Sequence, residues 1–111
     1  MYTMHVIQTK EEWSKMIKEQ NTVALFTADW CPDCRVIEPD LAEIEATFPL
    51  YTFVTVDRDD FMDIAQENDV MGIPSFIAFH QGKEVGRFVS KDRKTKEEIM
   101  TFLKGLPPHQ S

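Results

Sequence analysis

The sequence predicts an α/β protein in which one mixed β-sheet is covered by helices on both faces. Three observations point there. Strand-like and helix-like segments alternate in the order βαβαβαββα, and β-α-β units make parallel neighbours joined by right-handed crossovers. Near the end, Gln81-Gly82-Lys83 separates two strand-like runs as a hairpin turn, which adds an antiparallel strand. The run Thr22 to Ala28 (TVALFTA) is short and mostly apolar, as befits a strand buried on both faces.

Each element has a local reason. Met4, Val6 and Ile7 suggest a short first strand. Thr9-Lys10-Glu11-Glu12 reads as a capping box, with the Thr9 hydroxyl and Glu12 carboxylate placed to satisfy orphan N–H groups. Trp13, Met16 and Ile17 then fall at i, i+3, i+4 on one apolar helix stripe. A second helix starts near Pro32, with Ile37, Leu41, Ile44 and Phe48 on its buried face and a kink expected at Pro39. Tyr51 to Val56 is a strand, and Phe61, Ile64 and Ala65 mark a short helix. Phe76 to Phe79 and Glu84 to Val89 form the hairpin. Thr95-Lys96-Glu97-Glu98 is a second capping box ahead of a stripe of Ile99, Phe102, Leu103 and Leu106. The expected organisation is one domain over 1–106 and a flexible tail over 107–111, from Pro107 on.

Composition narrows the function classes. The chain has 111 residues, 42% of them hydrophobic and 28% charged, enough for one core without staples. A net charge of −7 argues against nucleic acid, which wants Lys and Arg clusters, and against an anionic membrane surface. No apolar run approaches the roughly 20 residues of a membrane helix. Met1 to Lys10 lacks the apolar stretch of a signal peptide. The expected compartment is the cytoplasm.

The two cysteines, Cys31 and Cys34, are the only ones and stand as C-x-x-C at the predicted strand-to-helix junction. Thiols at i and i+3 of a helix start face one side and come within bridging reach. Cys31 falls at the helix N-terminus, where unpaired N–H groups and the positive dipole end favour a thiolate. The thiolate is the nucleophile. Cys31 is therefore expected to attack a partner's disulfide, and Cys34, one turn in and less exposed, to resolve the mixed disulfide. Trp30 would shield one side and offer an apolar contact. Other readings of the pair are half of a zinc site or two inert buried thiols. The remaining ligand candidates, His5, His80 and His109, form no spaced pair, so no metal is expected. The polar Asp33 and Pro32 between the cysteines point to a helix start at the surface.

These residues resemble the thioredoxin family. Phe26-Thr27-Ala28-Asp29-Trp30-Cys31 is similar to the strand that leads into that family's active site, Pro39 matches its helix kink, and Gly72-Ile73-Pro74-Ser75 resembles its Gly-Ile-Pro-Thr loop. The similarity runs from the first strand to the last helix. Trp30-Cys31-Pro32-Asp33-Cys34 resembles more closely a subgroup that includes the bacterial YtpP type and a eukaryotic cytosolic thioredoxin-related protein. The resemblance implies a thioredoxin fold, a central mixed β-sheet flanked by helices on both faces. It implies a cis Ile73–Pro74 bond against Cys31, with Ile73's backbone free to pair with an extended substrate. It also implies a protein-disulfide reductase whose redox-active disulfide needs no cofactor. Its partners would be protein disulfides and a flavin-dependent thioredoxin reductase as electron donor, and it would work as a monomer.

Departures from the family pattern shape the chemistry. Pro32-Asp33 replaces the usual Gly-Pro. Leu25 stands where the family has a buried Asp that helps deprotonate the resolving thiol, Phe53 replaces the Lys that accompanies that Asp, and Thr27 replaces a Trp. An Asp33 carboxylate about 6 Å from Cys31 would disfavour its thiolate by on the order of 1.4 kcal/mol at an effective dielectric of about 40. That predicts a reductant rather than an oxidase. A solvated helix-start carboxylate is the alternative for Asp33. With Leu25 in place of the buried acid, another group or water must take the Cys34 proton, and Asp29 and Asp33 are the only nearby carboxylates by sequence. The competing functions are a general disulfide reductase, a narrower reductase of particular disulfides or S-thiolated proteins, a binding module without turnover, and a dimer holding a metal or cluster through Cys31.

Overall fold

The computed structural model describes residues 4–90 and 92–106; the expected tail over 107–111, with His109, lies outside the described residues. The elements run β1 (His5–Val6), α1 (Lys10–Glu19), β2 (Thr22–Thr27), α2 (Pro32–Thr47), β3 (Thr52–Asp57), α3 (Met62–Glu67), β4 (Ser75–His80), β5 (Lys83–Phe88) and α4 (Lys96–Lys104).

The sheet has the order β1-β3-β2-β4-β5. β3 pairs in parallel with both β1 and β2. β4 runs antiparallel to β2, and β5 antiparallel to β4. β2 is central, which is why its sequence is apolar on both faces. Strand alternation sends its residues to two cores. Ala24 and Phe26 join Val54, Val56, Ile77 and Phe79 under α1 and α3, where Trp13, Ile64 and Ala65 cover them. Val23 and Leu25 join Phe53, Phe76 and Ala78 under α2 and α4, where Ile37, Leu41, Ile44, Ile99 and Leu103 close the other face. The expected mixed sheet with two covered faces is the observed one.

Several details differ from the sequence reading. β1 is only two residues long, although Ile7 extends the pairing by one hydrogen bond to the Thr55 carbonyl (2.9 Å). The box ahead of α1 is half formed. Thr9 accepts from the Glu12 N–H at 3.0 Å, but the Glu12 carboxylate reaches past Thr9 to the Gln8 N–H at 2.7 Å. His5 takes the other Glu12 oxygen, drawing the side chain toward β1. The box at α4 is complete, with Thr95 and Glu98 capping each other's N–H groups at 3.1 and 2.9 Å. The β4–β5 turn is Gln81-Gly82 alone, and Lys83 already pairs with His80. Both turn residues have positive φ (52° and 86°), the primed geometry that matches strand twist and favours glycine at its second position. β3 and β5 sit one residue off their predicted spans, because register with the neighbouring strand decides where pairing stops.

Candidate redox site

β2 delivers the chain to the site, and α2 starts there. After Thr27, Ala28 is buried and Asp29 and Trp30 form an exposed turn. The Cys31 N–H closes that turn on the Ala28 carbonyl at 3.2 Å. The Arg35 guanidinium clamps it from the helix, donating twice to the Asp29 carbonyl at 3.1 and 2.8 Å. Pro32 then occupies the first helical turn, where its missing N–H costs nothing. Pro39 lies inside α2. Its ring leaves the Arg35 carbonyl without the usual i+4 donor.

Cys31 is the N-cap of α2. Its sulfur accepts from the Cys34 N–H at 3.2 Å, one of the orphan donors of a helix start. On the other side Cys31 Sγ lies 3.9 Å from the Ile73 carbonyl. The Ile73–Pro74 bond is cis, and Ser75 Oγ fastens this loop by donating to the Gly72 carbonyl at 2.5 Å. Cys31 and Cys34 are free thiols, 4% and 2% exposed. Cys34 is the less exposed of the two, but the margin is small because the Ile73–Pro74 loop covers Cys31 as well.

Burial pushes the Cys34 thiol up to about 11, and the hydrogen bond with Cys31 pushes the same way. The Thr27 hydroxyl and the Ala28 backbone oppose that rise. Thr27, the residue that replaces the family's Trp, thus contacts the Cys34 sulfur.

The flanks of the pair are charged. Trp30 is 59% exposed; its indole N–H donates to Asp59 at 2.7 Å and the Arg58 guanidinium lies 5.2 Å from the ring centroid. Asp33 accepts from Arg93 Nε at 2.9 Å, so its carboxylate is ion-paired rather than simply solvated. Lys94, next to that arginine, is buried. Its ammonium donates to the Ser90 carbonyl (3.3 Å), the Ser90 hydroxyl (3.1 Å) and the Asp92 carbonyl (3.2 Å), and lies 5.0 Å from the Phe88 ring centroid. Burial holds its pKa below the usual 10.5.

Leu25 and Phe53, in place of the family's acid and lysine, are both buried in the core between the sheet and α2. Beside Leu25 a groove of about 570 Å³ opens along α2, lined among others by Leu25, Thr27, Cys34, Arg35, Glu38 and Pro39. Neither Asp29 nor Asp33 lines it; among the described residues Glu38 is its one carboxylate.

The fold thus brings Trp30, Cys31, Pro32, Asp33, Cys34, Ile73 and Pro74 together where β2 ends and β4 begins, at one end of the two interior strands. The sequence reading missed Arg93, 60 positions from Asp33, along with Asp59, Arg58 and Lys94, because no local pattern links them to the motif. Glu38 had a signal, since it follows Cys34 by four residues on one helix. Among the described residues no group of three His, Cys, Asp or Glu is placed to hold a metal ion. His5 pairs with Glu12, and His80 contacts Asn21 at the opposite end of β4 from Pro74.

Comparison with known proteins agrees with this geometry. Residues 4–105 match the family profile described as Thioredoxin. Thioredoxin H4-2 of Oryza sativa subsp. japonica is 38% identical over 105 residues, covering 90% of this chain and 80% of that protein. The mitochondrial Thioredoxin-2 of Schizosaccharomyces pombe is 33% identical over 87 residues, 78% of this chain and 65% of that one. The crystal structure of thioredoxin from Trypanosoma brucei brucei superposes with a TM-score of 0.82 at 28% identity, covering 92% and 88% of the two chains.

Proposed function

The chain belongs to the thioredoxin family and is a thiol–disulfide oxidoreductase, and from that premise we propose that Cys31 is its attacking thiol and Cys34 its resolving thiol. The observation that carries the assignment is the Cys34 N–H on Cys31 Sγ at 3.2 Å. A donor aimed at a sulfur at a helix start supports negative charge on that sulfur.

The cycle then follows. The Cys31 thiolate attacks one sulfur of a protein disulfide. The substrate S–S bond breaks, its distal sulfur leaves with the electron pair, and a mixed disulfide joins Cys31 to the substrate. Cys34 loses its proton and attacks Cys31 Sγ. The second substrate sulfur leaves as a thiolate and takes up a proton. The substrate is reduced by two electrons, and Cys31–Cys34 is left as a disulfide. Trp30, Pro32, Pro74 and the main chain of Ile73 provide the docking surface, Ile73 by pairing with an extended substrate segment. Asp33 restrains the Cys31 thiolate, tempered by Arg93, and Asp29 shapes the turn before it.

A flavin-dependent thioredoxin reductase would return the protein to the dithiol, and the redox disulfide needs no further cofactor. We place the chain as a monomer in the cytoplasm, in the Trp-Cys-Pro-Asp-Cys subgroup of the YtpP type. No described helix is long and apolar enough to cross a membrane, and the net charge of −7 is unsuited to nucleic acid or anionic lipid. A narrower set of substrates is favoured by one observation: the apolar Leu25, which lines a groove with Cys34, stands where the family has its proton acceptor.

The test is insulin reduction coupled to thioredoxin reductase, alongside a Cys34→Ser trap. Turnover abolished by Cys31→Ser, with partners held on Cys31 in the trap, supports the assignment. Partners held on neither cysteine would overturn it. Fast insulin turnover favours a general reductase; one or two captured proteins favour the narrow one.

A further inference from the structure

We propose that Glu38, acting through water in the groove beside α2, accepts the Cys34 proton as Cys34 attacks the mixed disulfide. The inference rests on the role of Cys34 given above.

The geometry starts from the helix. Cys34 and Glu38 are four residues apart in α2 and so lie on one side of it. Both line the same groove of about 570 Å³, which has ample room for several waters. Thr27 and Thr55 offer hydroxyls along its walls. The groove therefore gives Cys34 a way to solvent that does not pass Cys31.

The other charged groups around Cys34 do not suit the role. Met4 ahead of β1, with Val6, Leu25, Thr27 and Thr55 of β1, β2 and β3, faces the groove, and none of them is a carboxylate or an amine. Arg35 is a cation held on the Asp29 carbonyl. Lys94 has its protons committed to Ser90 and Asp92. Asp33 is paired with Arg93. Glu38 is exposed, and its carboxylate has no hydrogen-bond or ion-pair partner among the described residues. The need for an acceptor is real, because burial keeps Cys34 protonated at neutral pH.

In the step, the Cys34 S–H proton passes to a groove water as that water gives a proton to Glu38. The Cys34 sulfur forms its bond to Cys31 Sγ, and the bond from Cys31 to the substrate sulfur breaks with its electron pair. Glu38 then releases its proton to bulk water.

The probe is dithiobis(nitrobenzoate) with the full reduced chain. Cys31 attack releases a first coloured thiolate, and Cys34 attack on the resulting mixed disulfide releases a second. In Glu38→Gln the first release should be unchanged and the second about tenfold slower at neutral pH, rising with pH toward wild type. Glu38→Asp should restore part of the rate. The sign separates proton transfer from simple electrostatics: removing a negative charge near Cys34 favours its thiolate and would speed the second release. A second release in Glu38→Gln as fast as wild type, or faster, overturns the proposal. Loss of the first release in the unmodified chain would instead overturn the Cys31 assignment.

Discussion

Arg93 donates its Nε–H to Asp33 across 2.9 Å, so the residue between the two cysteines carries a cation supplied by the loop ahead of α4. The pair is open to water, with side chains 62% and 31% exposed, and its contribution to stability is under about 1 kcal/mol. Its consequence is electrostatic. The proposed action of Asp33 on Cys31 therefore has Arg93 working against it, since the cation offsets the carboxylate's charge.

Alkylation of Cys31 by neutral iodoacetamide, in a Cys34→Ser background, measures this balance. At neutral pH and low salt, Arg93→Gln should slow the reaction about twofold and Asp33→Asn should speed it about threefold or less. Both effects should shrink in 1 M salt, where the screening length falls to about 3 Å. An Asp33→Asn chain that reacts no faster would remove Asp33 from any tuning role.

Leu25 and Phe53 belong to the same buried cluster, on neighbouring parallel strands of one sheet face. Each replaces a charged residue of the family pattern, and the two replacements make sense together. Leu25→Asp alone should destabilise the fold by about 3 kcal/mol, since it buries an unpaired carboxylate. Phe53→Lys should cost a similar amount. The double variant should cost about 1–2 kcal/mol less than the sum, as expected for residues that couple. Urea denaturation of the four chains closes the cycle; strict additivity would mean that the two side chains do not sense one another.

The layout of the fold was legible wherever local physics decides. The order of elements, the two-faced burial of β2 and the Thr95–Glu98 cap follow from periodicity and capping chemistry, and the structure has them. The half-formed box at α1 was not legible, because the partner that diverts Glu12 is His5, on another element. The site divides the same way. Cys31 at a helix N-cap follows from a strand that runs into Cys-Pro-Asp-Cys. The Arg93–Asp33 pair, the Trp30–Asp59 bond and the buried Lys94 join residues far apart in sequence, and only tertiary packing reveals them. Glu38 was within reach of helical spacing, but an exposed Glu on a helix is ordinarily a solvated surface group.

The raised pKa of Cys34 makes stability depend on pH. An unfolded thiol ionises near 9.0, whereas the folded one holds its proton to about 11. Between those values the folded state binds more protons than the unfolded state, so stability falls as pH rises. The contribution is whole below pH 9 and is lost by about pH 11. Lys94, whose pKa is lowered by burial, acts in the opposite direction as pH approaches 10.5. Comparing the reduced chain with Cys34→Ser at each pH removes the burial part of the Lys94 effect and leaves only the part that the Cys34 charge itself contributes. The stability difference between the two chains should be flat up to pH 9 and then shift against wild type; a flat difference throughout would mean that Cys34 ionises as an ordinary thiol.

Trp30 is held by two contacts rather than by burial. Its ring is 59% exposed, its N–H is fixed on Asp59, and Arg58 lies against its face. A large aromatic ring held in place at a surface is a contact element that loses little entropy on binding. Trp30→Ala should therefore cost under about 1 kcal/mol of stability, while kcat/KM for a protein disulfide falls about tenfold, equivalent to about 1.4 kcal/mol of transition-state binding. The first release from dithiobis(nitrobenzoate), a small disulfide with little surface to dock, should fall much less. Asp59→Leu, which frees the indole N–H but keeps the ring, should reproduce part of the loss on protein substrates alone. If Trp30→Ala slows both substrates equally, the ring acts on the reactivity of Cys31 itself and not on the recognition of its partners.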